Sequence, residues 1–133
     1  MQGNIYSNFL LKIVSGEINW VTDSIKCVFC DSSYNPDKNF HKTLSDVTGI
    51  IEGFDLNISN RDIVLDNDCI YFKGDNIVLD NVNIENLKYI ILYADTVDKP
   101  LICYIDVEYP RTVNNGILRL TWPDGNILTL SIG

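Results

Sequence analysis

Cys27 and Cys30, in the stretch CVFC, stand at the spacing of a zinc-binding or redox pair, and the chain's other cysteines are Cys69 and Cys103. A structural zinc site takes a second close pair, and Cys69 and Cys103 are isolated in sequence. A redox pair opens a helix that follows a strand, where the helix N-terminus favours the thiolate. SIKCVFC, residues 24–30, instead reads as a buried strand. Positions i and i+3 of a strand point to opposite faces, so the two thiols are expected to diverge into a core, reduced and without metal or other cofactor.

His41 is the one histidine of the chain, and Ser45 and Asp46 follow it closely. A triad also needs an orienting group and an oxyanion hole. NFHKTLSD offers neither, and His41 is expected to be a solvated loop residue. The acidic residues Asp62, Asp66, Asp68, Asp75, Asp80, Asp95 and Asp98 flank turn signals. Asp is favoured there because its carboxylate bonds local backbone, and a glycosidase pair is not required to explain them. No catalytic constellation emerges, and the chain is read as a non-enzyme.

The pentapeptide IVLDN occurs at 63–67 and again at 77–81. A calcium β-roll needs glycine-rich repeats in three or more copies, and an EF-hand loop needs oxygen ligands where DNDCIYFKGDN has Cys, Ile, Tyr and Phe. The segment reads as strands joined by turns, DIVL, CIYFKG and IVL, with the two copies expected to be neighbours in a meander.

These residues must be positioned by a mainly β fold. Ile, Val, Leu and Tyr are plentiful and Ala94 is the only alanine, a composition that favours sheet over helix. One helix is expected over residues 5–16, where Phe9, Leu10, Ile13 and Val14 share a face and Gly16 can end it. After the strand at 24–30 comes the loop DSSYNPDKN, then a short turn around His41 to Ser45. LKYIILY, 87–93, is apolar on both faces, as in a central strand. LICYIDVEY, 101–109, follows it, and GILRLTW, 116–122, and NILTLSI, 126–132, flank Pro-Asp-Gly, a hairpin signal. Strands at this spacing predict one domain over 1–133, an antiparallel β-sandwich of Ig-like or jelly-roll-like type. Residues 1–20 form a helical segment packed on it.

Ten basic residues against eighteen acidic ones leave a formal charge of −8. That argues against nucleic acid or an anionic membrane as the main partner. No apolar run approaches the roughly 18 residues of a membrane helix. MQGNIYSNFLLKIVSGEIN has no basic leader segment and no small-residue cleavage site, so a secretory leader is not expected and the thiols should stay reduced.

The order of these pieces resembles a group of small tailed-bacteriophage virion proteins. The motifs that carry the likeness are Ser32, Ser33, Tyr34, Pro36 and Asp37, then Ser45 to Thr48, Tyr89 to Asp95, Pro100 to Asp106, and Trp122 to Leu130. The chain departs from that pattern in IIEGFDLNISNRDIVLDN and at Cys27 and Cys30, where the family has apolar residues. The resemblance implies a structural protein of the virion, assembled in the host cytoplasm: a capsid-decorating or head-associated protein, or a tail component. Its partners would be capsid, portal or tail proteins, with the chain present as an oligomer or in many copies. The alternative is a carbohydrate- or receptor-binding module of a tail or fibre, in which Trp20, Trp122 and Tyr34 would lie exposed on one flat face. The candidate partner-binding residues are Ile5, Tyr6, Phe9, Leu10 and Ile13, an apolar stripe too rich to leave in water.

Overall fold

The run LKYIILYA lacks the apolar–polar alternation of a half-exposed strand, and this predicts a strand covered on both faces. In the computed structural model, which describes residues 3–131, it forms the second half of an 18-residue strand inside a sheet. The elements in chain order are β1 (Asn4–Ile5), α1 (Ser7–Val14), β2 (Ile25–Asp31), β3 (Ile50–Asn57), β4 (Asp62–Asp66), β5 (Cys69–Lys73), β6 (Ile77–Ala94), β7 (Leu101–Leu120) and β8 (Asn126–Ser131). Single 3₁₀ turns lie at Leu44–Asp46 and Pro123–Gly125. Ile132, expected at the end of the last strand, lies outside the described residues.

The strands make two antiparallel sheets, one of five strands in the order β1-β7-β6-β2-β3 and one of three in the order β4-β5-β8. With the single helix α1, this is the expected mainly β, sandwich-like architecture. The main core lies between the sheets. It joins Cys27, Phe29, Ile90, Leu92 and Ile105 of the larger sheet to Phe72, Ile127 and Leu128 of the smaller. The opposite face of the larger sheet carries a second cluster, in which Val28, Cys30, Ile91, Tyr93 and Leu101 are covered by Tyr6, Tyr34 and Val47.

The helix is shorter than expected. Asn4 and Ile5 pair in register with Tyr104 and Cys103 at the edge of the larger sheet. That pairing demands an extended backbone and delays the helix to Ser7. Gly16, at φ +79°, follows its C-terminal end, and the Glu17 and Ile18 amides both donate to the Lys12 carbonyl. Phe9 fixes the helix to the core, edge-on to Phe72 at 5.8 Å, while Trp20 meets the same ring at 5.5 Å.

Three strand connections differ from the sequence expectation. The first IVLDN is in β4, which forms a hairpin with β5 through Asn67 and Asp68, both at positive φ. The second opens β6, in the other sheet, so the copies are not neighbours in a meander. The reason is Gly74. A Cβ there would fall 2.6 Å from Ile58 and 2.9 Å from Ile127, and the Gly74 and Asp75 amides donate to Gly125 and Ser59. The segment is held between two other crossings instead of turning back on β5.

LICYIDVEY and GILRLTW, expected as separate strands, are one strand, β7, paired along most of β6. The register slips between Tyr89↔Asp106 and Leu87↔Arg111, with Glu108 at φ +70° in the extra residues. Such a bulge bends a strand without ending it. Pro-Asp-Gly is likewise not a hairpin turn. It carries the chain from the end of β7, paired with β6, into β8, which pairs with β5. Buried Trp122 anchors that crossing, its indole N–H donating to the Asp75 carbonyl at 2.9 Å.

Phe72 is the ring on which α1 and the Trp20 segment converge, so Phe72→Ala should cost about 3–5 kcal/mol in denaturant unfolding. Leu65→Ala, at a side chain 69% exposed, should stay within ~0.5 kcal/mol.

Candidate functional site

The loop between β2 and β3 lays Tyr34 and Val47 on the larger sheet and surrounds them with bonded polar side chains. Asp37 shapes it first: its carboxylate accepts the amides of Asn39 and Phe40, and its carbonyl accepts the amide of His41. This returns the chain so that His41 stacks on Tyr34, with ring centroids 5.5 Å apart. The Tyr34 hydroxyl lies 2.7 Å from the Tyr6 hydroxyl and 2.8 Å from His41 Nδ1. The Asp37 amide donates to the same nitrogen at 3.2 Å. With Nδ1 thus assigned as acceptor, Tyr6 donates to Tyr34 and Tyr34 to His41.

His41 is therefore half-buried and bonded, not the solvated loop residue that its polar neighbours suggested. It holds the loop against Tyr34 by a stack and a hydrogen bond. Burial pushes the Tyr34 phenol up to about 12 and the Tyr6 phenol higher still, so neither ionises near neutral pH to act as base or nucleophile. Ser45 and Asp46 serve their own turn. The Asp46 carboxylate accepts the Lys42 and Thr43 amides at 2.8 and 3.2 Å, and those bonds lower its pKa. The Ser45 hydroxyl lies 2.7 Å from that of Thr43.

The CVFC thiols lie on opposite faces of β2, as alternation requires. Cys27 is in the core between the sheets with Cys103, and Cys30 is in the cluster beneath the loop. Burial raises the Cys30 thiol to about 12 and those of Cys27 and Cys103 further. Cys69 is half-buried, its sulfur 3.7 Å from the Ser131 hydroxyl. Among the described residues no three His, Cys, Asp or Glu side chains are grouped to hold a metal. Of the turn carboxylates, Asp68 is in the β4–β5 turn and Asp75 accepts the Asn60 amide at 2.6 Å. Asp80 lies within β6, beside Asn81 at positive φ, at a break in register rather than at a turn.

The N-terminal stripe is largely consumed inside the chain. Tyr6 and Phe9 are fully buried, and Ile5 and Ile13 pack partly buried against the main core. Leu10 alone of the five is well exposed, at 41%. The outward side of α1 is made by Leu10 with Leu11 and Val14, 64% and 85% exposed. Leu11 shares a groove with Val97 from the β6–β7 turn, together with Lys12, Lys42 and Pro100. Leu11 and Val97 were missed by sequence reasoning, because the helix was phased on its richest apolar face and Val97 sits in a turn signal.

Arg61 was also missed. Its guanidinium donates to the carbonyls of Trp20, Val21, Asp23 and Ile58, tying the segment after α1 to the crossing between the sheets. A lone arginine among turn residues carries no pattern that would have marked it.

Trp20, Trp122 and Tyr34 are each at most 2% exposed and offer no flat stacking face. Compared with protein-family models, with curated proteins and with solved structures, the chain finds no match in any of the three. The resemblance to virion proteins thus rests on the short motifs alone.

Tyr34→Phe removes the hydroxyl that links Tyr6 to His41 and leaves the Tyr6 hydroxyl without its partner. It should cost about 1–3 kcal/mol by thermal or denaturant unfolding. The carboxylates of Asp31 and Asp46 are held below the usual range by local donors, Ser33 for the first and the Lys42 and Thr43 amides for the second. A group depressed in the folded state adds stability above its unfolded pKa, about 3.9 for aspartate, and loses it as pH falls through the lower folded value. The stability difference between wild type and Asp46→Asn should therefore be constant above about pH 5 and shrink below about pH 4. Melting curves of both proteins across that range would show it.

Proposed function

We propose that the protein is a non-enzymatic structural component that works by protein–protein contact, a capsid-decorating or head-associated protein of a tailed-bacteriophage particle. The observation that carries the reading is the outward face of α1. Leu10, Leu11 and Val14, with Val97 beside the same groove, leave aliphatic surface uncovered on the chain. Uncovered aliphatic side chains grouped on one side of a helix are characteristic of interaction sites. The short motifs shared with virion proteins supply the partner class: other proteins of the particle, with the chain in many copies.

The chemistry of the interior supports the same reading. Its phenols and thiols are shifted upward by burial, away from reactivity at neutral pH. A glycan- or receptor-binding module of a tail or fibre is less well supported, because both tryptophans and Tyr34 are buried.

The test is the composition of purified particles from a phage that encodes the chain. Mass spectrometry and imaging at side-chain resolution should find it in multiple copies with α1 against a neighbouring protein. Because Phe9 is buried, the informative substitutions are Leu11→Ser with Val14→Ser. They should leave stability within about 1 kcal/mol of wild type and reduce incorporation. Absence from particles, or normal incorporation of the double variant, would overturn the proposal.

A further inference from the structure

A second surface lies on the opposite type of element, an edge of the smaller sheet. β4 is one of the two outer strands of that sheet, β8 being the other. Its hairpin with β5 closes through Asn67 and Asp68 and pairs Asp66 with Cys69, Leu65 with Ile70, Val64 with Tyr71 and Ile63 with Phe72. In a two-residue hairpin the pair beside the turn exchanges both backbone bonds, and bonded and non-bonded pairs then alternate. Asp62, Val64 and Asp66 therefore turn their backbone groups to β5, and Ile63 and Leu65 turn theirs to the open side. The Asp62 carboxylate takes the Ile63 amide at 2.8 Å, which fits an N–H with no strand beside it.

The side chains at this edge are also unfinished. Ile63 and Leu65 share a face with Phe72 and Ile70, which belong to or pack on the main core. Yet Ile63 is 41% exposed and Leu65 69%. The edge thus offers free backbone bonds in register with aliphatic side chains on the core-facing side, the combination that strand addition uses.

Charge decides which strand fits. DIVLD carries the same charge pattern in both directions. A second copy paired antiparallel about Val64 would set Asp62 opposite the other copy's Asp66 on both sides of the centre. Like charges directly opposite destabilise a pair, and the chain already carries −8. Acidic flanks of this kind are a known protection of a free edge against its own kind. They are equally complementary to a strand with lysine or arginine at those two positions.

We propose that β4 is a docking edge for a basic, alternating β-strand of another protein, with Lys or Arg facing Asp62 and Asp66 and apolar residues facing Ile63 and Leu65. A cation opposite Asp62 draws its carboxylate from the Ile63 amide and frees that donor for the incoming strand. The inference is independent of the virion reading, since a synthetic strand in solution suffices to test it.

The full chain, labelled for amide-resolved NMR, would be titrated with the peptide Thr-Lys-Val-Thr-Ile-Lys-Thr and with its counterpart bearing Glu for both Lys. The basic peptide should shift the Ile63 and Leu65 amides, slow exchange at Leu65, and bind about tenfold more tightly than the acidic one. The double variant Asp62→Lys with Asp66→Lys should reverse that preference; if it does not fold, the wild-type titrations alone decide. Equal binding of both peptides, no change at Ile63 and Leu65, or protection of Leu65 that grows with protein concentration without peptide would overturn the proposal. The last result would make the occupant a second copy.

Discussion

The constraint on which the fold depends is the burial of β6 on two faces at once. From Ile90 to Ala94 every residue is buried, alternating between the core shared with the smaller sheet and the cluster on the outer face. One sheet packed on another can cover only one side. Something else must cover Ile91 and Tyr93, and the chain uses the segment between β2 and β3. The first half of β6 carries no such demand. It pairs with β7 alone and shows the alternating burial of a strand with one covered face.

A loop laid over a sheet carries backbone amides that no strand ladder satisfies, and short polar side chains nearby can accept them. This explains the aspartates of the segment. Asp31 accepts the Ser33 amide, Asp37 those of Asn39 and Phe40, and Asp46 those of Lys42 and Thr43. Tyr34 and Tyr6 bring large rings to fill the space and then need partners for their hydroxyls, which they find in each other and in His41. The motif residues Ser33, Tyr34, Asp37 and Asp46 thus have duties in holding this cover down. Those duties account for the residue types.

The fold class was legible because it rests on local signals. LKYIILY reads as a strand with two covered faces, SIKCVFC as a buried one, and Asp-Asn-Asp after DIVL as a tight turn. What could not be read was which strand each turn delivers the chain to. Gly74 and Pro123–Gly125 look like hairpin turns locally, but Gly74 is wedged between Ile58 and Ile127 and Trp122 is anchored on Asp75. Both are contacts between residues far apart in sequence. The candidate site was legible in the same uneven way. The apolar stripe of α1 was visible, but whether it faces inward or outward depends on where Phe72 lies, and nothing within residues 5–16 reports that.

The distribution of chemistry also limits where function can reside. Among the described residues the buried ones are apolar, aromatic or thiol-bearing, with no charged residue. Lys26, Lys88 and Lys12 pair with carboxylates near the surface, and such exposed pairs add little stability. The buried rings of Trp20, Trp122 and Phe72 join the helix and the crossings to the core. Outside lie aliphatic side chains on α1 and along β4, with others at Val78, Val97 and Ile117 and the exposed rings of Phe40 and Tyr109, within an acidic surface. Aliphatic groups cannot polarise a bond or move a proton, but they can be covered, and the carboxylates around them can select what covers them.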